Sequence, residues 1–221
     1  MSLLSRLRFR LFFLILAVLG GLGACQEAVE VQQVVYSNNF STVDLRNFEN
    51  GRLFVFENDT ILGFYNREEV SVTVKELPPH NILKVEIELL IHDTWDGNVD
   101  DGISGPDIWY MKLDEREVFR TTFSNGPCVS TYCPRQSYPA EFFRINFPKE
   151  GAVQTNIVGL CSRGQQASWT TRYLVSRLIE HQGDSVKITL GDELKQTNTP
   201  WPLCDESWSA NLIQVTALTV N

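Results

Sequence analysis

Several things that would name a chemistry outright are missing from this chain. It has only three histidines and two methionines among its 221 residues. There is no G-x-S-x-G elbow, no H-E-x-x-H helix and no paired C-x-x-C knuckle, so serine hydrolases, zincins and structural zinc sites lose their usual signatures. Positive charge is scarce: 19 Lys and Arg stand against 27 Asp and Glu, a net charge of −8. No basic stripe with interleaved aromatics occurs, and so acidic a surface repels phosphate backbones, which excludes nucleic acid as a partner. The longest uninterrupted apolar run, Leu11 to Leu19, falls short of the roughly 20 residues that a spanning helix needs. Internal repeats, low-complexity stretches and a second domain boundary are absent too. Disorder is excluded by what remains, because 43% hydrophobic and 11% aromatic residues can bury enough apolar surface to offset ordering entropy.

That apolar run has a context. Arg6, Arg8 and Arg10 precede it without an acidic residue, and Gly20, Gly21, Gly23 and Ala24 follow it before Cys25. A basic start, a short apolar segment and small residues describe an export signal. Leu22-Gly23-Ala24-Cys25 resembles the bacterial lipobox, whose cysteine is diacylated and becomes the first mature residue. The expected organisation is a signal peptide over 1–24, a lipidated Cys25 and polar tether over 25–34, and one domain over 35–221. Removing the three arginines leaves 16 basic against 27 acidic side chains, or −11. Gln26 stands where resemblance to Gram-negative lipoproteins would place an aspartate for inner-membrane retention. The expected location is therefore the cell envelope, at the outer membrane in a Gram-negative host.

Four cysteines remain: Cys128, Cys133, Cys161 and Cys204. An even number in an oxidising compartment reads as two disulfides. Closing the short CVSTYC loop is easy and would leave Cys161 to meet Cys204, although four cysteines permit three pairings.

Beyond the tether, the dominant pattern is alternation. Val70, Val72 and Val74 alternate, as do Leu83, Val85, Ile87, Leu89 and Ile91 with Lys84, Glu86 and Glu88 facing the other way. This is the signature of half-buried antiparallel strands. Similar runs start at Arg52, Asp107, Glu117, Phe142, Ser185 and Asn211, separated by turn material such as Pro78-Pro79 and Gly105-Pro106. Thr171–Glu180 fits either period, and its surroundings favour a strand. The expected fold is all-β, an antiparallel jelly-roll-like sandwich.

Blocks in fixed order support this: Leu62-Gly63-Phe64-Tyr65-Asn66, Leu77-Pro78-Pro79-His80, Asp93-Thr94-Trp95-Asp96-Gly97-Asn98, Gly105-Pro106-Asp107-Ile108-Trp109, Thr121-Thr122-Phe123-Ser124-Asn125, Gln136-Ser137-Tyr138-Pro139 and Asp205-Glu206-Ser207-Trp208. Together they resemble a bacterial family of exported and surface-anchored domains, usually without an assigned activity. The likeness runs from about Tyr36 to the C-terminus. It implies a jelly-roll-like sandwich similar to lectin-type and galactose-binding-type modules, with bound calcium. After Trp208 the family pattern of Gly, an apolar residue, Asp, Asn and Val becomes Ser209, Ala210, Asn211, Leu212 and Ile213, which would weaken or reshape any site built there.

HDTWDGNVDDGISGPD is the densest polar cluster. Ca²⁺ takes six to eight oxygen ligands, and mixed Asp/Asn/Gly loops supply them without crowding. Asp93, Asp96, Asn98, Asp107, Asp205 and Glu206 are the candidate calcium ligands; the alternative is a turn whose polar side chains bond their own backbone. Trp95, Trp169, Trp201 and Trp208 are the ligand-binding candidates, since an exposed indole stacks on a sugar ring, with core packing the alternative for Trp95 and Trp208. Trp109 alternates with Met111 and Leu113 and belongs to the core. These readings converge on a non-catalytic, membrane-anchored binding module directed at glycans and dependent on calcium. A structural lipoprotein binding an envelope protein comes second, and a polysaccharide hydrolase using two of the many carboxylates third. Replacing Cys25 by Ala should move the protein from the detergent phase to the aqueous phase in a phase-partition assay.

Overall fold

In the computed structural model the described residues are 29–126, 128–161, 169–195 and 199–220. The signal segment, Cys25 and residues 26–28 lie outside them. The protein is an antiparallel β-sandwich of a seven-stranded and a five-stranded sheet.

The larger sheet grows around one ladder. β6 (Ile82–Asp93) carries the cleanest alternation, and β12 (Glu206–Val220) pairs with it from Asp93↔Glu206 to Ile82↔Leu218. On the far side of β6 lies β10 (Trp169–Glu180), followed by the edge strand β9 (Ala152–Val158). The other edge of β12 is shared between two partners. β4 (Asp59–Tyr65), itself paired with β3 (Leu53–Phe56), takes its first residues, and β1 (Val29–Asn38) takes its last eight. The smaller sheet runs β2 (Phe48–Glu49), β5 (Glu69–Lys75), β11 (Ser185–Glu193), β7 (Ile108–Leu113), β8 (Arg116–Thr122). Among the described residues one short helix, α1 (Pro202–Asp205), precedes β12.

The alternating side chains account for the core. Leu83, Val85, Ile87, Leu89 and Ile91 of β6 point inward, facing Val70, Val72 and Val74 of β5 and Val186, Ile188 and Leu190 of β11. In β12 the inward set is Trp208 and Ala210, then Ile213, Val215 and Ala217. The change of phase falls at a bulge between Ala210 and Leu212, where one extra residue is inserted into the strand. Tyr173, Val175 and Ile179 are buried while Leu174 and Leu178 are exposed, so Thr171–Glu180 follows the strand period.

Two expectations fail. Residues 142–147 (FFRINF) alternate but form no strand. Their backbone makes one isolated bridge, Gln136↔Asn146, and Phe143, Ile145 and Phe147 face solvent. Alternation describes an extended chain, and a strand also requires a neighbour with free backbone groups. The tether is shorter than expected as well, because β1 begins at Val29 and takes residues 29–34 into the sheet.

At one end of the sandwich the core is aromatic. Trp208 packs edge-on against Trp109 at 6.2 Å and tilted against Tyr65 at 4.8 Å, while Phe123 meets Tyr173 at 4.6 Å. Trp208 also reaches across the sandwich, donating its indole N–H to Asp192 Oδ2 of β11 at 2.8 Å. Replacing Trp208 by Ala should cost about 3–5 kcal/mol in urea denaturation. Trp208→Phe should cost about 1–3 kcal/mol, because the ring volume is largely kept while Asp192 loses a donor.

Candidate functional site

The polar residues singled out in the sequence converge at this aromatic end, where β6 runs out and β12 begins. Asp93 pairs with Glu206 in the ladder, and both side chains are buried. The 94–107 connection is then folded back by its own hydrogen bonds. Asp107 accepts from the backbone N–H of Asp96, while the Asp107 N–H donates to the Gly97 carbonyl at 2.9 Å. Gly97 sits at φ +66°, and a Cβ there would lie 2.2 Å from the Arg135 carbonyl oxygen. Only glycine allows the two loops to meet backbone to backbone.

Asn98 locks the second loop to the first, and Gln136 braces the second loop from within and ties it to Ser124. Asn98 donates to the Arg144 carbonyl at 2.7 Å and accepts from the hydroxyls of Thr122 and Ser137. Gln136 donates to the carbonyls of Tyr138 and Glu150 and accepts from the Ser124 and Lys149 N–H groups. The disulfide Cys128–Cys133 closes the loop carrying Tyr132, whose hydroxyl donates to Asp96 Oδ1. The second disulfide, Cys161–Cys204, fastens α1. Trp201, immediately before that helix, is 63% exposed and Tyr132 is 47% exposed.

Burial dominates the electrostatics. It pushes the Asp107 carboxyl well above the usual carboxylate range, and the neighbouring Asp96 charge adds to the rise; hydrogen bonds from the Asp96 and Gly97 N–H groups and from the Glu206 side chain act against it. A hydrogen bond between two carboxyl groups requires a proton on one of them, since two buried carboxylates in contact cannot both ionise unaided. Asp107 Oδ1 and the hydroxyls of Ser124 and Ser207 are buried without a hydrogen-bond partner. Burial also raises Asp96, with the Asp101 and Asp205 charges contributing, and raises Asp192. The Tyr132 phenol is raised by burial and by its bond to Asp96.

The six expected calcium ligands do not assemble into one shell. Asn98 spends its amide on the loop frame, Asp96 holds Tyr132, and Asp205 accepts from the Thr94 hydroxyl at 3.1 Å. Among the described residues no group of three or more His, Cys, Asp or Glu side chains could hold a metal ion. The Asp107–Glu206 pair, with its unsatisfied oxygen, keeps the hard-oxygen chemistry of such a site but only two carboxyls. Trp95 and Trp208 are fully buried, so neither can stack on a ligand; their indole N–H groups serve the Ser207 carbonyl and Asp192. The side chain of Trp169 lies outside the described residues.

His92, on the outer face of β6, is sealed beneath Phe56 and Phe64 between Thr170 and Ser209, and burial lowers its pKa to about 3. His80 and His181 stack on each other near the opposite end, at the turns before β6 and after β10. Sequence reasoning missed three residues that matter here, Tyr132, Gln136 and Asp192. For Tyr132 a signal existed, an aromatic residue directly beside a loop-closing cysteine.

No protein-family model matches the chain, and no curated protein matches it. Among solved structures it is similar to the exoplasmic/lumenal domain of VIP36 in a Ca²⁺/Man3GlcNAc-bound form, at 8% identity and a TM-score of 0.36, over 87% of this chain and 92% of that one.

Because the folded state raises the Asp107 pKa, it holds that proton to higher pH than the unfolded chain does. The contribution is complete below the unfolded value near 4 and is lost as pH rises through the folded one. In chelator, Asp107→Asn should therefore flatten the pH dependence of urea stability. Relative to the parent protein, it should gain stability as pH rises above the unfolded carboxyl value, because the parent alone loses the contribution of its buried proton.

Proposed function

We propose that the protein is a lipid-anchored, extracytoplasmic binding module that takes carbohydrate at the acid-rimmed loop end of the sandwich without transforming it. One observation carries this reading: two exposed rings at that end, Tyr132 and Trp201, stand within three residues of disulfide-bonded Cys133 and Cys204. An exposed ring fixed before binding offers a stacking surface at little entropic cost. Around it stand Thr94, Asp96, Asp101 and Asp205, oxygen-rich groups that suit sugar hydroxyls. Their negative charge favours neutral or amino sugars over anionic polymers.

Several features support a non-catalytic role. None of the three histidines is placed to act as a base at the rim. His92 is sealed and held neutral, and the other two sit near the far end. The partnered Asp96 and Asp205 are engaged in hydrogen bonds that stabilise loops. Calcium enters this reading through Asp107 and Glu206, where a cation would take the place of the proton the two carboxyls share. Disulfides and the lipobox-like Cys25 both belong to an oxidising envelope compartment. In this reading anchoring rests on that cysteine; no described helix is long and apolar enough to cross a membrane.

A second reading, docking of an envelope protein, draws on Phe143, Ile145 and Phe147, three large apolar side chains exposed on one extended segment. A glycan array of neutral and amino sugars, run with calcium and with chelator, separates the two. Binding that falls by about tenfold or more in Trp201→Ala and Tyr132→Ala, together with a chelator-dependent drop in melting temperature, is the expected result. Silence across the array would favour the protein partner.

A further inference from the structure

We propose that the sandwich stands end-on to the lipid surface, with the turns around Pro78–Asn81, Asp114–Glu115 and His181–Asp184 facing the headgroups and the Tyr132–Trp201 end presented outward. This rests on acylation of Cys25 as read above, and adds to it a membrane-facing surface and a direction.

The argument begins with the length of chain between the anchor and the fold. Only residues 26–28 separate Cys25 from Val29, the first residue of β1. Four peptide steps span at most about 14 Å, even fully extended. Val29 is therefore confined to the headgroup region or its immediate border.

Next comes the place where Val29 sits. It pairs with Val220 at the end of β12, and that end is clamped. The Asn81 side chain donates to the Val220 carbonyl at 2.7 Å and accepts from the Val220 N–H at 3.0 Å. The Asn81 backbone in turn bonds Leu218 and His181. His181 joins His80 at 2.8 Å and faces Asp114 at 3.3 Å, while Leu77 donates to the Asp184 carbonyl. Turns from both sheets are thus bonded into one base, and the tether leaves from that base rather than from a fraying strand.

The third element is the strand that links base to rim. β12 runs from Glu206, beside Asp93 and Asp107, to Val220 over 15 residues. At about 3.3 Å per residue this places the acid end roughly 45 Å from the anchored end. Because the tether leaves from the base and β12 runs from base to rim, the rim is the part of the sandwich farthest from the anchor.

The experiment uses the full lipidated protein in phosphatidylcholine vesicles doped with a headgroup spin-labelled lipid. A fluorescent non-canonical residue is placed at Gln182, in the base, or at Asp100, beside the rim; both positions are exposed, and this labelling leaves the cysteines untouched. Emission from position 182 should be quenched severalfold and that from position 100 left unchanged. Equal quenching of both, or stronger quenching at 100, overturns the orientation while the anchor stands. No quenching at either site in protein that still floats with the vesicles overturns it as well. If the protein does not float with vesicles and behaves as Cys25→Ala does, the anchoring itself is wrong and this inference falls with it.

Discussion

A carboxyl group can enter an apolar interior only when donors or a proton meet its oxygens, and the architecture of this protein follows from how that demand is satisfied at one end. Asp192 is the first case. It stands on the smaller sheet and accepts from the indole of Trp208 on the larger one, from the N–H groups of Arg67 and Glu68 between β4 and β5, and from Leu194 beyond its own strand. A single buried side chain thereby sets the spacing of the two sheets at that end. It also sets the position of Trp208, and with it the start of β12. Glu206 is two residues earlier, so the same bond delivers it to Asp93 and Asp107. The raised Asp107 pKa is a consequence of this placement: the strand that brings Glu206 to it carries no Lys, Arg or His.

Much of this frame could be read in the sequence, for a physical reason. β5, β11 and the first two thirds of β6 alternate apolar with polar residues in sequence, and period two is strong evidence for strands packed on a core through one face. Legibility failed where that contrast vanishes. β9 is exposed along most of its length, and Ala152–Val158 carries too little apolar contrast to show a period. β12 contains a bulge that shifts the inward set by one, so Trp208 and Ile213 fall out of phase when a single alternation is drawn through both. The 142–147 segment erred in the opposite direction, showing alternation without a neighbour to pair with.

The site followed the same rule one level up. The sequence located the acid-rich connection, and Asp93, Asp96, Asp107 and Glu206 do come together. What it could not say was how each oxygen is spent. Asn98 and Asp107 look alike as donors on paper, but one is consumed by two hydroxyls and a carbonyl and the other keeps an oxygen unmet. That difference depends on Thr122, Ser137 and Arg144, which lie 24, 39 and 46 residues away in the chain from Asn98. Tryptophan was ambiguous for a related reason. The indoles of Trp95 and Trp208 have partners only the fold could provide, and the exposed ring of Trp201 sits beside a helix of four residues too short to advertise itself.

Fixing loops in this way has a consequence for recognition. A loop that orders on binding gives up affinity to conformational entropy, whereas one already bonded to its neighbours does not. At the acid end the main chains of the two loops touch at Gly97 and Arg135, Asn98 bridges them, and the buried amide of Gln136 braces the second loop. Disulfides fasten the segments that bear Tyr132 and Trp201. A sandwich stabilised only for its own sake would have little reason to concentrate its costliest features, buried acids and a Cβ-excluding glycine, where the core is already densely aromatic. The opposite end holds together with backbone bonds between turns, the Asn81 side chain on Val220, and one histidine pair beside Asp114. The asymmetry between a plain base and an elaborately fixed rim places the demand for precision at the rim, which is where a weakly binding, hydroxyl-rich ligand would require it.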